Sequence, residues 1–174
     1  RHVRPIVPQG QFAEDEEGLP EGWQPLNVSY FGYPRGTNTV AMHPVAGTNN
    51  VNIGGWYLSD DDNELKKYRI PSGTILTNKK HIVFNEYSDF GTNAIGTNSG
   101  FALSEWEDRV HLSSADAGSN LTSFRTSVRF GAADNGVTFG RYVRSDGVAD
   151  FPAMSNTTSG ASNSYPSVGP VVIS

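Results

Sequence analysis

"TSFRTSVRF", residues 122–130, is the stretch that decides the fold class. Phe124, Val128 and Phe130 fall on one side of an extended chain, and Arg125, Ser127 and Arg129 on the other. Successive strand side chains point to opposite faces, so the pattern predicts a strand with one buried and one wet face. No segment of the chain sustains a period of 3.6 residues, so little helix is expected.

The same signature recurs on both sides of that stretch. "FALSEWEDRVHLSS" reads as two short strands, residues 101–103 and 109–113, around a turn at 105–108. "GVTFGRYV" (136–143) reads as a single strand, "HIVFNEY" (81–87) as another, and "NVSYFGY" (27–33) and "TVAMHPV" (39–45) as two more. In "VNIGGWYL" (51–58), Gly54 and Gly55 signal a bulge or a close backbone approach. In "IPSGTIL" (70–76), Pro71 and Gly73 occupy turn positions. The expected core is Ile53, Trp56, Leu58, Ile70, Ile82, Phe84, Leu103, Val110, Leu112, Phe124, Val128 and Phe130.

Composition agrees with an all-β chain. Of the 174 residues 36% are apolar and only 18% charged, the remainder being rich in Gly, Ser, Thr and Asn, whereas long helices need Ala, Leu, Glu and Lys. A formal net charge of −5 argues against nucleic acid or an anionic membrane as partner. The absence of cysteine removes disulfides, thiolate catalysis and thiolate zinc sites. No stretch reaches the roughly 18 apolar residues of a membrane span. The chain starts at Arg1 with no basic-then-apolar leader, as expected either of a processed end or of an artificially chosen boundary.

Three regions are expected. Residues 1–25 form an extended arm broken by prolines and glycines, with an acidic run "EDEE" at 14–17; residues 26–145 form the β domain; residues 146–174 form a Ser/Asn/Gly-rich tail. The tail reads as a linker or an extended wrap and closes on "VGPVVIS", an apolar strand in need of a sheet. Arg125, Arg129, Arg141 and Arg144 cluster on neighbouring strands and could meet the acidic run of the same or another chain.

Few groups are arranged for chemistry. Asp60, Asp62 and Glu64 alternate like the start of a calcium loop and are the candidate calcium ligands; no other cofactor is expected. The match lacks glycine at the sixth position and glutamate at the twelfth, where Pro71 stands, so a solvated turn between strands is the favoured reading. The four histidines lack zinc-hydrolase spacing, and His81 and His111, inside predicted strands, are expected to be satisfied structural residues. Glu105, Glu107 and Asp108 flank Trp106 as a glycosidase pair would, yet adjacent acids in a turn usually face solvent. Trp23 and Trp106 are candidate sugar-stacking rings.

These motifs, in this order, carry a resemblance. "VNIGGWYLSDDDNELKKYRIPSGTILTNKKHIVFNEYSDF" followed by "NSGFALSEWEDRVHLSSADAGSNLTSFRTSVRFGAADNGVTFGRY" resembles the bacterial branch of the lamin tail domain family over residues 51–173. The opening strands usual in that family are not recognisable in "NVSYFGYPRGTNTVAMHPV". The resemblance implies an immunoglobulin-like β-sandwich without catalytic residues, found as a module of secreted or surface-anchored bacterial proteins. The expectation is therefore a non-enzymatic structural module at the cell surface or outside the cell. Its partners would be other protein subunits or adjacent modules, as a filament or surface-layer subunit in a homo-polymer. Pro170, Val171, Val172 and Ile173 would form the donated strand that links copies. The alternative is a carbohydrate-binding module using Trp23 and Trp106.

Overall fold

The computed structural model of the chain describes residues 23–30, 38–44, 50–77, 80–91, 100–132 and 134–169. Two four-stranded antiparallel sheets dominate it. The first has the spatial order β10 (Val137–Gly140), β1 (Trp23–Tyr30), β2 (Thr39–Pro44), β7 (Ile82–Asn85). The second has the order β5 (Tyr68–Arg69), β4 (Tyr57–Ser59), β8 (Asp108–Ala115), β9 (Leu121–Phe130). Two short ladders, β3 (Val51–Asn52) with β6 (Ile75–Leu76) and β11 (Tyr142–Val143) with β12 (Ala149–Asp150), complete the described strands. The chain is all-β, as its alternation predicts.

Both large sheets supply one apolar cluster: Val40, Met42, Phe84 and Phe139 from the first, Leu58, Tyr68, Val110, Leu112 and Phe130 from the second. The rings of Tyr68 and Phe84 meet edge-on at 6.0 Å, and those of Phe130 and Phe139 lie 5.4 Å apart. Each fully buried aliphatic or aromatic side chain stabilises the fold by about 1.5–3 kcal/mol. All twelve expected core residues belong to this cluster or, for Ile82, Phe124 and Val128, pack against it half-buried. Trp56 is anchored by Phe124, with ring centroids at 5.3 Å.

Gly54 is the close backbone approach that its sequence suggests. A Cβ there would stand 2.5 Å from the Gly73 nitrogen and 3.0 Å from the Pro71 carbonyl oxygen. Gly73 itself has φ of 79°, a region that L side chains avoid, in the turn closed by the Thr74 N–H on the Pro71 carbonyl at 3.2 Å. The two glycine positions thus fit together, and Ile53 N–H donates to the Thr74 carbonyl at 2.9 Å beside them.

Three strand expectations are corrected. Residues 101–103 make no strand; Phe101 and Leu103 are buried as loop, with Phe101 stacked on Phe90 at 4.6 Å. The strand expected over 81–87 ends at Asn85, and Glu86–Phe90 forms a π-type turn closed by Gly91 N–H on the Glu86 carbonyl at 2.7 Å. Asp89 Oδ2 accepts the Asn85 N–H at 2.6 Å, and Asn38 Nδ2 donates to the buried Glu86 carboxylate at 2.5 Å. Local side-chain to backbone bonding here wins over strand continuation. The strand expected over 136–143 splits at Arg141 into β10 and β11, because Gly140 N–H turns to the Pro152 carbonyl at 3.0 Å.

The tail is a wrap rather than a free linker over its described part. Met154 N–H donates to the Thr138 carbonyl at 2.7 Å, extending the pairing of β10, and Ser167 N–H returns to the Ala153 carbonyl at 2.8 Å. Thr157 Oγ1 reaches the Gly136 carbonyl at 3.0 Å, and Asn163 Nδ2 the Arg141 carbonyl at 3.0 Å. Strand β1 begins at Trp23, inside the stretch read as arm, and the remainder of that arm lies outside the described residues.

Candidate functional site

The outer face of the second sheet collects most of the chemistry-bearing side chains. Its register forms three cross-strand rows: Arg69, Tyr57, Ser113 and Arg125; then Ser59, His111 and Ser127; then Arg109 and Arg129. A face turned from the core should be wet, yet Tyr57, Ser59, His111 and Ser113 are all buried. The polar run at 60–67 folds back over Tyr57, Ser59 and His111. Ser59 Oγ donates to the Glu64 carbonyl at 2.6 Å and accepts Asp61 N–H at 3.0 Å, and Asn63 N–H is held by Asp61 Oδ1 at 2.8 Å. Lys66 Nζ lies 6.0 Å from the centre of the Tyr57 ring.

Charge locks this turn in place. Lys67 Nζ bonds Asp60 Oδ1 at 2.6 Å, and the Arg109 guanidinium takes both carboxylate oxygens of Asp62 at 3.0 Å. Burial works against the charge on Lys67, but Asp60, Asp61 and Glu64 outweigh it and its pKa rises. The Asn63 N–H holds the exposed Asp61 carboxyl below its usual range. His111 Nε2 stands 3.2 Å from Asp62 Oδ1, at ion-pair distance, but neither ring nitrogen has a hydrogen-bond partner of regular geometry. Burial, with Arg109 and Arg125 nearby, pushes the imidazole pKa down against the pull of Asp62. The expectation of a satisfied His111 is thus corrected: the loop that covers it brings a carboxylate close without a directed bond.

The candidate calcium ligands do not converge. Asp60 faces Lys67, Asp62 faces Arg109 and His111, and Glu64 contributes its backbone carbonyl to Ser59. Among the described residues no three His, Asp or Glu side chains come together as a metal-holding group.

The acids around Trp106 are separated in role. Glu107 pairs with Arg129, and Asp108 is half-buried, its oxygens accepting the N–H groups of Ser104 at 2.8 Å and Arg109 at 2.7 Å. Burial pushes the Asp108 carboxyl up, although those two bonds oppose the rise. Its lone pairs are committed to holding the entry to β8. Trp106 is 76% exposed, beside a shallow depression shared with Glu105, Ala132 and Asp134. Trp23 lies in the first sheet, on β1.

The second sheet ends on β9, which among the described residues pairs with β8 alone. Phe124 directs its N–H and carbonyl at Ser114 Oγ, both at 3.2 Å, so its backbone groups face β8. Backbone groups alternate sides along a strand, which turns those of Arg125, Ser127 and Arg129 outward. The described tail finishes near Tyr165 and Val168, each 81% exposed, and Pro170, Val171, Val172 and Ile173 lie outside the described residues.

No protein-family model, curated protein or solved structure matches this chain. The residues that sequence reasoning missed are His111, Ser113 and the Asp62–Arg109 pair. A signal existed: Arg109, His111 and Ser113 alternate on the polar side of β8 opposite Asp62's loop, but their burial depends on a turn whose path no local pattern specifies.

Proposed function

We propose that the chain is a non-enzymatic structural module, an immunoglobulin-like β-sandwich of the lamin-tail kind, that assembles with other protein subunits at the cell surface or outside the cell. The observation that carries this reading is the ten-residue edge strand β9, paired on one side only among the described residues. An unpaired edge is a template for another strand, and natural sheets normally shorten or cover it. β10, the edge of the first sheet, is hydrogen-bonded by residues 152–154; β9 has no second backbone ladder among the described residues, although β1 lies close to it. The apolar residues Val171, Val172 and Ile173 follow an exposed end of the described tail, and supply the β-branched strand that such an edge would take from a second copy. Arg125 and Arg129 on the edge limit indiscriminate pairing.

The test uses the full chain and two changes. Deleting residues 171–174 removes the donor, and Ser127→Pro removes an outward N–H from the acceptor while leaving the β8 ladder. Each should keep the thermal transition and abolish assemblies seen by light scattering or electron microscopy. Assembly by either variant at the wild-type level would discard strand donation.

Carbohydrate binding remains the second reading because of one observation, the exposed Trp106 indole beside Glu105 and Asp134. A glycan array probed with the wild type and Trp106→Ala separates the two: signals lost in the variant support sugar stacking, and a blank array with intact assembly removes it.

A further inference from the structure

Two peptide bonds of the chain join an asparagine or aspartate to glycine, Asn135–Gly136 and Asp146–Gly147, and the fold treats them differently. Both lie in exposed turns, with the glycines at φ of 79° and 83°. At the second, Gly147 N–H donates to the Arg144 carbonyl at 2.9 Å, and Asp146 Oδ1 accepts the Val148 N–H at 3.0 Å. Nitrogen and carboxylate are both committed there. At the first, the Asn135 side chain makes no hydrogen bond, and Gly136 N–H has no acceptor, among the described residues. The bond that closes this turn, Val137 N–H on the Asp134 carbonyl, is long at 3.3 Å.

That combination suits attack of the chain on itself. The Asn135 amide carbon is one five-membered ring closure away from the next backbone nitrogen, and glycine places no Cβ beside that nitrogen. Reaction between neighbouring groups gains from proximity what a bimolecular step loses. A solvent-exposed turn with few partners rotates toward the attacking geometry at little cost.

We propose that Asn135 is a site of spontaneous deamidation, with water as the co-reactant, and that the isoaspartate formed there unfastens the tail from the start of β10. The Gly136 nitrogen bonds to Asn135 Cγ, the Cγ–Nδ2 bond breaks, and the glycine amide proton passes through solvent to the departing ammonia. Water then opens the succinimide. Breaking its N–Cγ bond gives aspartate, and breaking the bond from nitrogen to the backbone carbonyl carbon gives isoaspartate, whose main chain runs through Cγ and is one methylene longer. No oxidant or reductant enters. The Gly136 carbonyl, just beyond the inserted methylene, is the acceptor of Thr157 Oγ1 at 3.0 Å, so the insertion displaces that anchor of the tail.

The experiment ages the full chain in mildly alkaline buffer, folded and separately in urea, and quantifies isoaspartate at each position by peptide mass spectrometry. At Asn135 the folded rate should lie within about twofold of the unfolded one, as expected where local opening costs almost nothing. At Asp146 it should fall at least about fivefold, the scale of one hydrogen bond. Slowing at Asn135 as large as at Asp146 overturns the site. Hydrogen exchange of the Ser155 and Asn156 amides, which donate to the Tyr165 carbonyl and Ser164 Oγ, should quicken about fivefold in the isoaspartate fraction. Thr157→Val should show the faster exchange without ageing and gain nothing further from it. Asn135→Gln, which resists the ring closure, should keep the wild-type exchange throughout. Unchanged exchange in the isoaspartate fraction, or an equal gain on ageing in either variant, overturns the unfastening.

Discussion

The two faces of β8 and β9 come from the same eighteen residues and obey different physics. Inward, Val110, Leu112, Val128 and Phe130 fill one cluster with side chains from the opposite sheet, and their partners are interchangeable apolar surface. Outward, Arg109, His111 and Arg129 depend on named carboxylates, Asp62 for the first two and Glu107 for the third. The inner face is set by alternation alone, so any strand with that pattern would bury it. The outer face is set by where one turn, residues 60–67, happens to cross. The comparison teaches that stability of this chain resides inward, and that its distinctive chemistry resides where a loop has buried polar groups against expectation.

The sharpest way to break the comparison is to wound the inner face. Leu112 is 1% exposed and faces Leu58 and Thr126 in register. Leu112→Ala should cost about 2–5 kcal/mol, the lost transfer energy plus the cavity left among rigid neighbours. Urea denaturation measures it. A loss below that of any outer-face substitution would mean that the cluster is not the principal source of stability.

A smaller effect is expected at the junction that carries the turn across. Gly54→Ala places a methyl group against the Gly73 nitrogen and the Pro71 carbonyl, both backbone atoms that cannot swing aside. The overpacking should cost about 1–3 kcal/mol. Gly73→Ala, where the space is open but φ is 79°, should cost about 1 kcal/mol from backbone strain alone. If Gly73→Ala proves the worse of the two, close approach is not what fixes Gly54.

The inner face was legible in the sequence, and the outer one only in part. Leu58, Val110 and Leu112 announce themselves because burial follows from a period of two, a local property. Pro71, Gly73 and the Gly54 approach were legible because backbone sterics are local as well. Glu86 was not: nothing in "HIVFNEY" shows that Asp89 will capture the Asn85 N–H and end the strand. The polar tail reads as a wrap or a linker because Ser, Asn and Thr advertise hydrogen bonds without naming partners, and those partners, Thr138, Gly136 and Arg141, lie about twenty residues away. His111 departs furthest from its local sequence pattern. Its place in a strand was readable, but the carboxylate above it comes from Asp62, whose approach is a tertiary event.

That histidine gives the last and finest test of the outer face. Its surroundings are Asp62 and Asp60 from the turn, Arg109 on its own strand, and Arg125 and Ser127 on β9. Burial and the two arginines disfavour the imidazolium more than the two aspartates favour it, so the folded-state pKa lies below the ordinary 6.5. The unfolded chain therefore binds the proton first as pH falls. By linkage, the stability that neutral His111 contributes is present above pH 6.5 and is lost as pH falls through 6.5 toward the lower folded value. Many carboxylates also titrate in acid, so the informative quantity is the difference between two proteins. His111→Gln, which keeps polar atoms but cannot titrate, should differ from the wild type by less than about 1 kcal/mol near pH 7.5, because no directed hydrogen bond is lost. It should gain on the wild type steadily between pH 6.5 and pH 5, as read by paired urea titrations. A difference that stays constant over that window would mean that Asp62 at least offsets burial; a difference that grows as predicted makes the outer face a place where covering a histidine, more than pairing it, sets the energy.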